Sequence, residues 1–283
     1  MADSIWIIVT ASLIALSCAL VGNYLVLRNQ AMLGDALSHA ILPGLLFAFL
    51  LFGMQNTIAY VLSCSLFGVL SIALIDLLKQ HRYFNDDVAI GLSFTSFFAL
   101  GVILISLFAG KVHLDYDHVL YGEIAYVPID VWILESGSQI GPRSFWIALI
   151  LLITCLLFIA VSYRFLLISS FSEELAKMQK INPRLWHYLL LSLCSIVVVV
   201  SFESVGAILV VSFLIIPSST AYLISKSLKY MILYSFIVAV GSCVLGYFLA
   251  TLLNSSIAAS MAVVSGIIFT LTFTASYLRK SLG

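Results

Sequence analysis

An aspartate and a histidine stand one helical turn apart in a stretch of sequence that is otherwise almost free of charge. Asp35 and His39 are spaced i, i+4, so a helix would place both side chains on one face. A carboxylate oxygen and an imidazole nitrogen placed this way can share one divalent cation, and this donor mix suits Zn²⁺, Mn²⁺ or Fe²⁺. In the alternative interpretation Asp35 only ends a loop and His39 only starts a helix, and the spacing alone leaves both open.

The composition around this pair is that of a membrane protein. Of the 283 residues 63% are hydrophobic and only 9% are charged, whereas soluble domains average about 25% charged residues. An ionisable residue inside a spanning segment is costly and by default marks a path for an ion or a substrate. Gly34 and the small residues of the run ALSHA favour a helix packed inside a bundle, because small side chains let helices approach closely.

Nine uncharged runs are long enough to form the spanning helices of an all-α polytopic protein, since a bilayer requires roughly 20 apolar residues per helix. The runs are 5–27, 36–52, 57–75, 88–108, 145–163, 186–202, 204–223, 231–253 and 257–278. Only Glu203 separates the sixth run from the seventh, so eight spans are the alternative. The short second run carries Pro43, and part of it is a candidate for a non-spanning segment. We expect residues 1–283 to form a single transmembrane domain.

The positions of the basic residues predict the orientation, because cytoplasmic loops carry an excess of lysine and arginine. With nine spans, an outer N-terminus and a cytoplasmic C-terminus, only Lys111 and Arg143 fall outside. The basic residues on the cytoplasmic side are then Arg28, Lys79, Arg82, Arg164, Lys177, Lys180, Arg184, Lys226, Lys229, Arg279 and Lys280. An eight-span arrangement would move Lys226 and Lys229 outside. The expected location is therefore the cell membrane, with both termini placed as stated.

Two loops are long enough to have structure of their own. The outer loop 109–144 contains an apolar aromatic patch, which we expect to lie along the membrane interface as short amphipathic pieces. The inner loop 165–185 has the pattern of a short helix, with Ser172 as N-cap and Glu173 and Glu174 in the first turn, where the helix dipole favours acids. Asn182-Pro183 is expected to end it.

Other candidate residues carry weaker signals. His118 and Glu123 in the outer loop could receive a metal ion at the mouth of a path, although an interfacial histidine and a solvated acid fit the sequence better. Pro217 frees a backbone carbonyl in an apolar run and predicts a kink or a broken helix, and a kink there would serve either gating or packing. The five cysteines show no CxxC pairing and are expected to be small buried hydrophobes.

Five blocks of sequence, in this order, are similar to the permease subunits of the ABC transporters that import zinc, manganese and iron. The blocks are RNQAMLGDALSHAILPG (28–44), NDDVAIGL (85–92), HVLYGEIAYV (118–127), SFSEELA (170–176) and SVGAILVVSFLIIPSSTA (204–221). Two departures stand out. Ser172 replaces the aspartate usual in the family, and Ser218-Ser219 replace the usual Ala-Ala after the proline. The outer loop also carries extra residues at 134–143 of unknown purpose.

The resemblance implies roles for particular residues. Asp35 and His39 correspond to the aspartate and histidine that contact the metal in the translocation path. The segment Ser172, Glu173, Glu174, Leu175 and Ala176 corresponds to the cytoplasmic coupling helix, which docks in a groove of a partner ATPase. In this interpretation the chain is not itself an enzyme, because ATP is hydrolysed in the separate subunit.

The sequence and the resemblance together predict a permease of an ATP-driven importer in the bacterial inner membrane, with Mn²⁺, Zn²⁺ or Fe²⁺ as cargo and no permanently bound cofactor. The expected partners are a cytoplasmic ATPase, an extracytoplasmic metal-binding protein, membrane lipid, and a second copy of the chain or a paralogue. No nucleic acid is expected. An ATPase-independent secondary transporter or channel is the alternative. It predicts inverted repeats and further acids deep in the helices, and the sequence shows neither. An intramembrane protease is disfavoured because HExxH and GxSxG are absent.

Overall fold

The structure is a computed structural model, and it describes residues 2–52, 57–80, 84–108, 124–133 and 139–282. The helices, in chain order, are α1 (Ala2–Leu27), α2 (Met32–Phe52), α3 (Thr57–Lys79), α4 (Asp86–Phe108), α5 (Arg143–Phe171), α6 (Glu173–Met178), α7 (Pro183–Val205), α8 (Ala207–Ile224), α9 (Leu228–Leu253) and α10 (Ile257–Leu282). A 3₁₀ turn (Ile124–Tyr126) and two short strands, β1 (Val131–Ile133) and β2 (Gln139–Pro142), lie between α4 and α5.

Within these described ranges, nine helices are long and apolar enough to cross a membrane, and α6 is the one helix too short to do so. The predicted nine-helix, all-α class is therefore confirmed. α2 runs without interruption through Pro43, so the second run forms a full-length helix. Which end of each helix faces the cytoplasm stays a prediction.

The boundary between the sixth and seventh spans differs from the prediction by three residues. Glu203 does not separate the helices but lies exposed in the last turn of α7. The break falls at Gly206, whose φ of 78° lies in the left-handed region that side chains disfavour. A charged residue costs energy in lipid but does not itself break a helix, whereas a glycine in this conformation ends one. The structure supports two spans here and not one.

Helix α1 lies at the centre of the bundle, packed against α5, α7, α8 and α9. Its residues Ala11, Ala15, Cys18 and Ala19 have 0% exposed surface, so small side chains bring the neighbouring backbones close. Helix α2 packs on another side, mainly between α3 and α4. All five cysteines are free and buried, as expected from the sequence.

The described part of the outer loop contains a feature that the sequence did not predict. In its described part, β1 and β2 form an antiparallel hairpin with an irregularity between Val131 and Ile133. The hairpin rests on the start of α1, because a side chain at Gly141 would meet the ring of Trp6 at 3.0 Å. Strands of three or four residues are too short to show a periodicity of their own. The extra residues 134–143 thus include one strand of this hairpin.

Candidate functional site

Asp35 and His39 lie on the same face of α2, near the helix start. The His39 Nε2 and the Asp35 Oδ1 are 3.7 Å apart. The side chain of Asp35 is 44% exposed and that of His39 is 29% exposed, so both are accessible from outside this chain. Asp35 belongs to the first turn of α2, where free backbone N–H groups and the helix dipole favour a carboxylate. These two residues are the only ionisable ones in α2.

The separation of these two atoms is compatible with a shared cation. Carboxylate oxygens and imidazole nitrogens bind Zn²⁺ at about 2.0–2.2 Å, so two donors of one ion lie at most about 4.2 Å apart. The observed 3.7 Å is within that limit. Across the described residues, no group of three or more His, Cys, Asp and Glu side chains is placed to hold a metal. Within the described residues the pair therefore stands as two possible metal donors, with no third such side chain beside them.

Two aromatic rings of α4 hold the imidazole of His39. The ring of Phe94 lies 4.6 Å from it and that of Phe98 lies 5.5 Å from it, both between ring centroids and both edge to face. Within the part of the chain that is described, neither the Asp35 nor the His39 side chain makes a hydrogen bond to a further residue. Packing, and not a hydrogen bond, thus positions the imidazole.

Close helix packing fixes α2 in place around the pair. A side chain at Gly44 would meet the backbone of Cys64 in α3 at 2.7 Å, and one at Gly101 of α4 would meet the ring of Pro43 at 3.1 Å. On the other side, Gly34 lies against the side chain of Leu214 in α8, which is 1% exposed. Gly34 directly precedes Asp35, so the position of the Asp35 carboxylate depends on the contact of Gly34 with α8.

The structure confirms the short helix predicted in the inner loop. The Ser172 hydroxyl caps α6 by accepting a hydrogen bond from the Leu175 N–H at 3.3 Å. Leu175 is 55% exposed, while Ala176 is fully buried against the bundle. Glu174 is exposed beside them, and Glu173 is the first residue of the helix. Asn182-Pro183 does not end α6, however; Asn182 caps α7 and Pro183 is its first residue.

The remaining predicted residues have different outcomes. His118 and Glu123 lie outside the described residues, so their part in an outer mouth stays a prediction. Pro217 is buried in α8, which continues as a helix through it from Ala207 to Ile224. The kink predicted at Pro217 is therefore not a break, and a bend there stays a prediction.

A polar cavity of about 590 Å³ lies next to Ser172, where residues from α3, α4, α5 and α7 meet. Arg28, Lys79 and Arg184 line it together, so three residues predicted to share the cytoplasmic side do lie at one end of the bundle. Arg28 was predicted only as a basic residue of the cytoplasmic side, and His187 also lines this cavity. Their contacts join segments far apart in the chain, and a single sequence shows no signal for them.

Comparison with known proteins places these features in one family. Residues 4–276 match the family described as "ABC 3 transport family". The chain is 41% identical over 268 residues to the manganese transport system membrane protein MntD of Bacillus subtilis (strain 168), which covers 95% of this chain and 90% of the relative. It is 34% identical over 267 residues to the zinc transport system membrane protein TroD of Treponema pallidum (strain Nichols), covering 94% and 72%.

A solved structure agrees with these sequence matches. A chain of PsaBC from Streptococcus pneumoniae, determined in complex with Fab, superposes with a TM-score of 0.77 and 33% sequence identity. The match covers 94% of this chain and 89% of that one. The similarity thus extends over nearly the whole chain and includes α2, α6 and α8.

Proposed function

Because the chain belongs to the ABC 3 transport family, we propose that it is the membrane permease of an ATP-driven importer whose cargo is Mn²⁺ or Zn²⁺. The observation that carries this proposal is the pair on α2, with Asp35 Oδ1 and His39 Nε2 3.7 Å apart and both partly exposed. Relatives named for manganese and for zinc support these two ions. Transport of Fe²⁺ stays a prediction from the donor chemistry.

The incomplete ligand set suits transport better than storage. A structural metal site is closed by four protein ligands, whereas a transported ion must enter and leave. Asp35 and His39 would replace part of the hydration shell of the ion, and a second copy of the chain or a paralogue would supply further ligands across a shared path. The partial exposure of both side chains supports this arrangement, because it leaves them open to a neighbouring subunit.

The proposed energy source is a separate ATPase that docks on α6, with an extracytoplasmic metal-binding protein delivering the ion on the opposite side. Leu175 and Met178 support the docking surface, since they are 55% and 81% exposed at the end of the bundle with the basic cavity. The whole chain, residues 1–283, would act as one permease domain without enzymatic activity of its own. Its place would be the bacterial cell membrane, where the nine spanning helices fit.

The direct test is metal uptake into proteoliposomes that contain the permease together with its ATPase subunit. Replacing Asp35 by Asn or His39 by Ala should reduce Mn²⁺ and Zn²⁺ uptake to background, because each change removes one of two donors. Asp87→Asn is the matched control, since it removes an exposed carboxylate at the start of α4 that makes no ion pair with either residue among the described contacts. Normal uptake by both α2 variants would contradict the proposed site. Uptake that continues without ATP would instead indicate a secondary transporter or channel.

A further inference from the structure

Arg28 lies in the short loop between α1 and α2, and its guanidinium binds both segments that flank α6. Its Nη2 donates to the Ser169 hydroxyl at 2.9 Å and its Nε donates to the Ser170 hydroxyl at 3.0 Å. Its Nη1 is 3.2 Å from the His187 Nδ1. The two serines belong to the end of α5, before α6, and His187 belongs to the start of α7, after α6. One side chain thus joins the loop that leads into α2 to both flanks of α6.

The partners of Arg28 are oriented to accept its protons. The hydroxyls of Ser169 and Ser170 donate to the Leu166 carbonyl at 3.2 and 2.6 Å, which leaves their lone pairs free for the guanidinium. The planar fork of an arginine can bind several acceptors at fixed angles, whereas a lysine offers a single charged point on a flexible stem. The geometry therefore requires arginine and not only a positive charge.

Backbone hydrogen bonds join the loop that carries Arg28 closely to the helices on both sides of it. Asn29 adopts a left-handed φ of 55°, the Gln30 N–H donates to the Leu25 carbonyl at 2.8 Å, and the Asn29 N–H donates to the Val26 carbonyl at 3.0 Å. These bonds form a Schellman motif that ends α1. The Leu33 N–H then donates to the Gln30 carbonyl at 3.0 Å, so α2 begins at once. A displacement of Arg28 therefore also displaces the start of α2.

The connections on both sides of α6 are equally short. Ser172 both ends α5 and caps α6. After α6, Lys180 has a left-handed φ of 58°, and the Ile181 N–H donates to the Ala176 carbonyl at 2.9 Å, as in a second Schellman motif. Asn182 then caps α7 directly. A movement of α6 must therefore move its two flanks, which are the segments that Arg28 holds.

We propose that Arg28 is a positioning residue that transmits movement of α6 to the metal-binding helix α2. This inference rests on the proposed function, in which α6 meets the ATPase and Asp35 with His39 binds the ion. Arg28 precedes Asp35 by less than two helical turns of sequence, and the connecting turn is held by backbone hydrogen bonds. Loss of Arg28 should separate ATP hydrolysis from transport while the ion still binds.

The test uses the full permease in complex with its ATPase subunit, reconstituted in proteoliposomes, with Mn²⁺ as the probe. Arg28→Lys keeps the charge and removes the fork. Lys79→Gln is the matched control, because it removes a basic group of the same cavity that instead pairs with Asp86 at 3.3 Å. We expect Arg28→Lys to lower Mn²⁺ uptake per ATP hydrolysed by roughly five- to 150-fold, the range of typical coupling energies. The Kd for Mn²⁺ should stay within about twofold, and Lys79→Gln should couple normally.

Three outcomes would overturn the proposal. The first is uptake per ATP in Arg28→Lys equal to that of Lys79→Gln. The second is a loss of Mn²⁺ affinity in parallel with coupling, which would make Arg28 part of the binding site or of the fold. If Arg28→Lys does not fold, the double variant Ser169→Ala, Ser170→Ala is measured in its place. The third outcome that would overturn the proposal is normal Mn²⁺ uptake per ATP hydrolysed in that double variant. Asp35→Asn tests the proposed function separately, because normal uptake there contradicts the metal site whatever Arg28 does.

Discussion

Two helix contacts in the bundle look alike in sequence and differ in how their polar groups are used. Where α1 meets α8, Gly22 lies directly against the Leu214 carbonyl, and the Ser218 hydroxyl donates to the Ala19 carbonyl at 3.1 Å. Both serine and glycine are fully enclosed there, and the hydroxyl is satisfied by a neighbouring helix. In a membrane a buried polar group needs such an internal partner, since no water can replace it.

The contact of α2 with α4 is also close, at Gly101, but leaves its polar groups available. Asp35 and His39 remain partly exposed and lie 3.7 Å apart, and two aromatic rings of α4 lie beside His39. The two contacts show that polar groups have two different uses in one bundle. Polar groups that bond across helices hold the fold together, and polar groups left open can take a ligand.

The largest expected effect concerns the first contact. Gly22→Ala places a Cβ against the Leu214 carbonyl, which is backbone and cannot move aside, so α1 and α8 must separate. We expect a loss of about 3 kcal/mol or more in the free energy of unfolding, at the upper end of overpacking costs. Gly241→Ala in α9 is the control, because nothing lies within 4 Å of its added Cβ. Thermal unfolding in detergent measures the stability of both variants. Equal stability of the two would contradict the prediction, because it would show that α1 and α8 accommodate the added methyl group.

A smaller effect is expected at the contact of α2 with α4, where it should change transport and not stability. Phe94→Leu removes the ring 4.6 Å from His39, so the imidazole loses its edge-to-face support. Because such pairs contribute about 0.5–1.5 kcal/mol, the KM for Mn²⁺ uptake should rise by about two- to tenfold. Phe97→Leu is the control on the same helix, where the ring faces Phe67 at 6.4 Å. Equal KM values in the two variants would refute a positioning role for Phe94, and Tm should not distinguish them.

The smallest expected effect measures a single bond across helices. Asn23, with 0% exposed surface, donates to the Ser235 hydroxyl of α9 at 2.8 Å. A double-mutant cycle with Asn23→Ala and Ser235→Ala should give a coupling of about 0.6 kcal/mol, the average for such bonds in membranes. The value should be modest because polar side chains also find partners in the unfolded state within the membrane. Uptake per folded permease should stay unchanged, and a coupling near zero would remove Asn23 from the groups that hold the fold.

Much of the architecture follows from the sequence because the bilayer imposes it. Nine apolar runs gave nine helices, since length and hydrophobicity decide insertion. The helix in the inner loop was also predictable, because Ser172 and the two following acids form a local capping signal. The break after α7 was misplaced at Glu203, although Gly206 in the run SVGAI carried the better signal. The strand hairpin was missed because three or four residues show no pattern.

The candidate site was predictable only in part. Asp35 and His39 are four residues apart, so helical spacing alone brings them together. Their surroundings depend on contacts between distant segments, such as Phe94 of α4 beside His39 or Arg28 beside Ser169, which lie 141 residues apart. The sequence from Arg28 to Asp35 also did not show where the loop ends and where α2 begins. The irregular part is confined to the loop before Met32, because backbone hydrogen bonds close it at once.

The contact between Gly34 and Leu214 has a consequence for how this sequence can evolve. A Cβ at position 34 would meet the end of the Leu214 side chain, so an alanine there requires either a displaced Leu214 side chain or a smaller residue at 214. The two positions should therefore change together in related sequences, with glycine opposite leucine and alanine opposite valine or alanine. Because position 34 adjoins Asp35, the substitutions possible at position 214 of α8 are limited by what the start of α2 can accept.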